Sequence, residues 1–268
     1  MERILANNLI NKKDNLLVLD GDKTISLNMD SNSFKIIVKG HSNINLEISK
    51  LSKEKNLEIE LENDSSLTIY SLIEEETKMI SLNAKVMKNA SICGNILDFS
   101  LNNNNFVAVI DLLEEGARGN ISVASLSKDE DRKLFDISIN HIANNTHGLN
   151  ECFGVCKNNS HLTFTGVSDV RKDAVNSETR QVAKIVVFDE SCRAKTSPIL
   201  KISENEINAS HAASVGTLSD EQIFYLMSRG IKENDARNII TLGYLKPIIN
   251  RFDESVIKHV EDLLKERM

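Results

Sequence analysis

A chain of 268 residues with a net charge of −7 has room for one large domain and a small one, and its Lys and Arg residues are interspersed with Asp and Glu, which argues against a nucleic-acid or anionic-membrane surface. No apolar run approaches the roughly 18 to 20 residues needed to span a bilayer, and the polar start MERILANNLINKKDN lacks a signal-peptide core, so a cytoplasmic protein without membrane contact is expected. The hydrophobic fraction is 41% but only 4% is aromatic and Trp is absent, so the interior must be built from Ile, Leu and Val, and the four cysteines are expected as reduced thiols.

In chain order, residues 1–30 read as an N-terminal arm, followed from about Ser33 to Val215 by many short strands. KIIVKG, NLEISK, LEIELE, SLTIYS, MISLNAKV, FVAVIDL, NISVASL, LFDISIN, HLTFTGV, KIVVF and ILKIS carry β-branched residues with partial alternation, and Asn, Asp, Ser and Gly separate them. Such strands suit a sandwich, a barrel or a β-solenoid. Few aromatics, only two prolines and the run Asn102 to Asn105, which fits tight corners, favour the solenoid over residues 31–216.

Residues 217–268 change character. Ser219 with Gln222 fits a capping box, Ile223, Phe224, Leu226 and Met227 form an apolar face, and Gly230 supplies a left-handed stop after Arg229. A second face runs through Ala236, Ile239, Ile240, Gly243 and Tyr244, with Pro247 expected to bend or end the helix. A third helix from Asp253 carries Val256, Ile257, Val260, Leu263 and Leu264 along one stripe. Packing of that stripe on the Ile239 and Tyr244 face would leave residues among Phe224, Tyr225, Arg229, Tyr244, Leu245 and Ile248 for a partner groove, unless the helices cap one end of the solenoid.

Cys192, in DESCRAKTSP, lies between two strand-like runs with Glu190, Ser191 and Arg193 around it, so it reads either as a partly exposed soft ligand for iron or sulfur or as a buried apolar thiol. His211 sits among Ala209, Ser210, Ala212 and Ala213, which would let a metal or a partner approach the imidazole, although a core or capping histidine is equally open. These two are nineteen residues apart, close to one coil of a solenoid, so they are expected either to stack or to face each other across a subunit boundary. Cys152 and Cys156 are spaced C-x3-C, which directs both to one face of a strand and is not a zinc signature; they read as structural, and Cys93 as a small core residue. His141, His147 and His161 fit turn and strand-end hydrogen bonding at least as well as ligation. There is no phosphate loop, dinucleotide fingerprint or nucleophile elbow, and the carboxylate runs at Glu74 to Glu76 and Asp129 to Asp131 suit solvated turns better than a glycosidase cleft.

SHAASVG, FYLMSRGI and ARNIITLGYLKPII, in this order, together with FTGV, RKDA and SPILKI upstream, make the last 130 or so residues closely resemble the SufB/SufD family, scaffold proteins of iron–sulfur cluster assembly. The resemblance implies an all-β core, a right-handed parallel β-helix, with a small C-terminal α-helical domain, and a non-enzymatic scaffold on which a transient iron–sulfur cluster is built and passed to apoproteins. It implies as partners a SufC-like ABC ATPase docked on the C-terminal helices, a sulfur donor, and either a second copy of this chain or a SufB/SufD paralogue joined through the β-helix. SufB proteins carry a cluster-related cysteine in a similar D-x-C-x-x-x-T-x-P phrase, which points to Cys192, with Asp189, Thr196 and Pro198 close to that register. The SHAASVG segment is SufD-like at His211, because SufB follows its histidine with Glu and here Ala212 stands there. The alternative reading is therefore a SufD-like interaction subunit that holds no cluster.

Overall fold

The computed structural model describes residues 3–5, 15–49, 51 and 53–267. Its strands, in chain order, are β1 (Arg3–Leu5), β2 (Leu16–Leu19), β3 (Lys23–Asn28), β4 (Ser33–Val38), β5 (Asn43–Ser49) and β6 (Lys53–Leu61). They continue as β7 (Ser66–Ile73), β8 (Thr77–Val86), β9 (Ser91–Asp98), β10 (Asn104–Leu112), β11 (Arg118–Ser127) and β12 (Arg132–His141). The last are β13 (His147–Cys156), β14 (His161–Val170), β15 (Glu178–Val187), β16 (Arg193–Ile202) and β17 (Asn208–Thr217), followed by helices α1 (Asp220–Ser228), α2 (Glu233–Ile249) and α3 (Glu254–Arg267).

Every odd-numbered strand pairs in parallel with the next odd one and every even with the next even, giving one sheet from β1 to β17 and a second from β2 to β16. Consecutive strands thus never pair; the chain winds from one sheet to the other and climbs one layer per coil, which is a parallel β-helix with a small helical part at its C-terminal end. Alternation explains the sheets' faces: in β7 every second residue is buried. Inward residues stack in register, so that Phe106, Phe135 and Phe164 form a column with ring centroids 6.1 and 5.3 Å apart. β1, β2 and β3, inside the segment expected as an arm, join these two sheets.

The corners use residues that tolerate left-handed backbone. Asp64, Asn89, Asn102, Asp129, Asn145, Asn158, Asp173 and Asn176 all have positive φ. Some of their side chains also bond the coil below: Asn89 Nδ2 donates to Asp64 Oδ1 at 3.0 Å, and Asn145 Nδ2 to Glu115 Oε1 at 3.0 Å. The Asn-rich segments are therefore corner chemistry, although Asn104 and Asn105 already belong to β10.

The helices do not roof the end of the solenoid. They lie along the outer face of the odd-numbered sheet, where Leu245, Ile248, Ile249 and Phe252 from the second helix and its following turn, with Val260 and Leu264 from α3, bury against Leu97, Phe99, Ala124, Leu126, Val155 and Val186. Arg251, in the turn between α2 and α3, clamps this packing by donating to Ser122 Oγ and Glu151 Oε2, both at 2.6 Å. Three local expectations change here. Ser219 occupies the N-cap of α1 but makes no side-chain cap bond, so no capping box forms. The buried face of α2 is Ala236, Thr241, Leu245, Ile248 and Ile249, not the Ile239 to Tyr244 stripe, and Ile239 is exposed. Pro247 lies in the last turn, where it forfeits the N–H bond to the Gly243 carbonyl, yet the helix runs on for two residues to Ile249.

At the solenoid edge near α3, a buried polar cluster replaces apolar packing. Lys133 Nζ donates to Asp98 Oδ1 at 3.2 Å and to the carbonyls of Ser100 and Leu126 at 2.8 Å each, and both ionic side chains are fully buried. Arg267, near the end of α3, donates to the Ser100 carbonyl at 2.9 Å and reaches Asp131 Oδ2 at 3.4 Å, tying the last helix to the same corner.

Candidate functional site at the open end of the solenoid

In the last coil, β16 and β17, no residue of either strand is fully buried, whereas β14 beneath alternates between buried and half-buried positions. Register explains the change. Ala209, His211, Ala213 and Val215 stack on Thr179, Gln181, Ala183 and Ile185, so they occupy inward positions, yet no further coil lies over them. Val215 is 46% exposed and, on β16, Ile202, stacked on the inward Val170, is 41% exposed. The end of the core is thus open among the described residues, with unpaired strand edges beside it.

His211 sits on this end, directly above Gln181. Gln181 is buried, with Nε2 donating to Ser168 Oγ at 2.8 Å and to the Ile199 carbonyl at 3.1 Å, so it holds the two sheets together beneath the imidazole. His211 itself is exposed.

Cys192 lies in the corner between β15 and β16, half-buried against the core, with Sγ donating to the Asn158 carbonyl at 3.2 Å. It is not close to His211. In this part of the chain, register partners are about thirty residues apart, as Gln181 and His211 are, so nineteen residues is less than one coil. The Cys192 corner lies at the Thr217 end of β17, since Val187 pairs with Thr217, and His211 is six residues back along that strand. At about 3.3 Å per residue this is ~20 Å. Among the described residues no group of three or more His, Cys, Asp or Glu side chains converges in a way that could hold a metal ion.

Sequence reading missed a neighbour of Cys192. The Cys156 thiol, at the end of β13, donates to the Ser160 carbonyl at 3.3 Å, in the same 157–160 corner that the Cys192 thiol touches at the Asn158 carbonyl. Burial pushes the ionisation of Cys156 up, the Ser160 contact opposing this. Cys152 and Cys156 do point to one face and are both buried core residues, and burial raises Cys152 as well, with Glu151 adding to the effect. Only the coil geometry could reveal that Cys156 and Cys192 share a corner, because the pair is separated by a full coil plus a corner. Cys93 is not in the solenoid core. It is half-buried on the outer face, where burial raises its ionisation and the Arg251 guanidinium opposes that shift.

His141 is fully buried inside the solenoid, with Nδ1 2.8 Å from Thr146 Oγ1 and no partner at Nε2. Gly148 makes room for it: a Cβ there would stand 2.7 Å from His141 Nε2. Burial lowers the imidazole pKa to about 4, helped by nearby His147. His147 is half-buried, 3.5 Å from Glu178. These histidines serve the coil and its corner.

On the helices, Phe224 and Tyr225 are exposed, Arg229 lies over the Tyr225 ring at 5.3 Å, and Tyr244 is half-buried. Leu245 and Ile248, expected to meet a partner, are fully buried against the β-helix and are unavailable to one. No described helix is long and apolar enough to cross a membrane.

The fold class of this chain is a parallel β-helix with laterally docked helices and an exposed, histidine-bearing last coil. The family model for the SUF system FeS cluster assembly SufBD core domain matches residues 22–244, and the chain belongs to that family. It is similar to the iron–sulfur cluster assembly protein SufD of Bacillus subtilis, 28% identical over 159 residues that make up 59% of this chain and 36% of the relative. It is also similar to SufB of the same organism, 28% identical over 155 residues, 58% of this chain and 33% of that one. A SufBD family protein of Staphylococcus epidermidis is 28% identical over 158 residues, 59% and 34% of the two chains. The match therefore spans about a third of the length of these relatives.

Proposed function

We propose that this chain is a cytoplasmic, non-enzymatic scaffold subunit that assembles iron–sulfur clusters transiently and passes them to apoproteins. Iron and sulfide are its cargo. Cys192 would take sulfur or iron through its thiolate and His211 would supply an imidazole nitrogen. The observation that carries the reading is the open last coil, which places His211 on an exposed core end beside unpaired strand edges. Because Cys192 and His211 are far apart in one chain, a site using both needs a second chain, this one or a SufB/SufD paralogue, seated end to end. A net charge of −7 leaves nucleic acid and anionic membranes unfavoured as partners.

Anaerobic reconstitution with iron and sulfide tests the assignment. Cys192→Ser should retain several-fold less cluster than the parent protein with little change in melting, since a hydroxyl is a poor soft ligand of nearly the same size. His211→Ala should lose less. Equal cluster content in Cys192→Ser would remove that residue from the site. The alternative, a SufD-like subunit that holds no cluster itself, is favoured by the absence of a convergent ligand group within one chain among the described residues. It predicts that the unmutated chain alone reconstitutes nothing.

The ATPase partner is proposed to dock on Phe224, Tyr225, Arg229 and Tyr244, with Leu245 and Ile248 acting from beneath as packing. Removing Phe224 and Tyr225 together, both to Ala, should reduce co-purification with a SufC-like ABC ATPase at least roughly tenfold, as expected for aromatic anchors. Undiminished recovery would move the docking surface to the β-helix.

A further inference from the structure

Cys156 and Cys192 belong to successive coils, yet their sulfurs both contact one corner, residues 157–160. Cys156 Sγ lies 3.2 Å from Ser160 Oγ at one side of that corner, and Cys192 Sγ donates to the Asn158 carbonyl at 3.2 Å on the other. Backbone bonds lock the two coils in this alignment: Phe188 N–H donates to the Cys156 carbonyl and Arg193 N–H to the Ser160 carbonyl, both at 2.9 Å. Because His161 pairs with Arg193, Cys192 follows Ser160 in the stack, and Ser160 is the residue that the Cys156 sulfur touches. The two thiols differ in access, because Cys156 is fully buried and Cys192 is half-buried at the edge of the same core. An outer thiol that small molecules can reach, backed by an inner one that they cannot, is the arrangement of an attacked and a resolving cysteine.

We propose that Cys156 is the resolving thiol of Cys192, so that a sulfur adduct formed on Cys192 is displaced with closure of a Cys156–Cys192 disulfide. With a low-molecular-weight disulfide RSSR as oxidant, the Cys192 thiol first displaces one RSH and becomes Cys192–S–SR. Cys156 sulfur then attacks Cys192 Sγ, the S–SR bond breaks, and the second RSH leaves with the Cys156 proton. Two protein thiols lose two electrons and two protons, and one RSSR becomes two RSH. A persulfide on Cys192 follows the same course and leaves as hydrogen sulfide; this extension alone rests on the sulfur-accepting role proposed above. The disulfide reopens with excess small thiol.

The full-length reduced protein, exposed anaerobically to glutathione disulfide, quenched by alkylation and mapped by peptide mass spectrometry, decides this. The parent protein should give a Cys156–Cys192 cross-linked peptide and little glutathionyl Cys192. Cys156→Ser should accumulate glutathionyl Cys192 by roughly tenfold over the parent protein, and Cys192→Ser should leave Cys156 unmodified. Cys156→Ala, checked by circular dichroism, serves if the serine variant folds poorly. Equal glutathionylation of Cys192 in parent and variant, a cross-link to Cys93 or Cys152 instead, or no adduct on Cys192 in any form would each overturn the proposal. Iron content after separate reconstitution is read on the same samples, so loss of the cluster assignment with the cross-link intact marks failure of the functional reading alone.

Discussion

Lys133→Ala is expected to lower the unfolding free energy by roughly 3–5 kcal/mol, the range seen when one partner of a buried ion pair is removed. The deletion would leave the fully buried Asp98 carboxylate with only hydroxyl and amide donors, Ser100 Oγ at 2.6 Å, Ser125 Oγ at 3.3 Å and the Ser100 N–H at 3.0 Å. It would also strip a donor from the carbonyls of Ser100 and Leu126. Burial already pulls the lysine's pKa down, with Asp98 and Asp131 opposing, so the ammonium is held by its partners and not by solvent. Lys133→Met combined with Asp98→Asn should recover part of the loss, because no uncompensated charge then remains. Urea unfolding of the three proteins checks this. A single-variant loss below about 1 kcal/mol would mean that water enters the corner and solvates the carboxylate.

Acidification should cost roughly 3 kcal/mol through His141 alone. Its imidazole ionises near pH 6.5 when unfolded and at about 4 in the native protein. Between these values the unfolded chain takes up a proton that the folded chain refuses. The contribution to stability is therefore complete above about pH 6.5, falls as the pH drops towards about 4, and changes no further below that. The measurement is a difference that isolates this one group: urea unfolding across this range for the parent protein and for His141→Gln, which keeps a donor for Thr146 but cannot ionise. The variant should show the shallower decline. Parallel curves would mean that the native coil opens to let His141 charge at little cost.

What could be read from the sequence follows from which forces are local. Alternation in SLTIYS, FVAVIDL and LFDISIN reports one buried face per strand, and these segments are strands. β9 and β13 carry Gly, Asn and Cys where propensity asks for branched residues, and β17 is mostly Ala and Ser. They are strands because the coils beside them supply parallel partners for the backbone, a non-local cause that a short window cannot show. The same limit applies to the site. Cys192 and His211 stand out by their neighbours in sequence, but whether they meet depends on coil length, and the corner shared by Cys156 and Cys192 depends on it too. On α2, Ile239 and Ile240 look like the inner face from periodicity alone, whereas docking along a flat sheet selects Leu245, Ile248 and Ile249.

The open last coil carries a consequence for partner choice. A parallel strand edge offers the same amide and carbonyl groups whatever the sequence, so it will accept any chain that presents a matching edge, and backbone pairing alone cannot tell a twin from a cousin. In the proposed end-to-end pairing, discrimination would fall to the few side chains that stand on the rim, His211, Val215 and Ile202 among them. Exchanging those few residues between relatives, with the whole barrel of the solenoid left untouched, should be enough to redirect who assembles with whom.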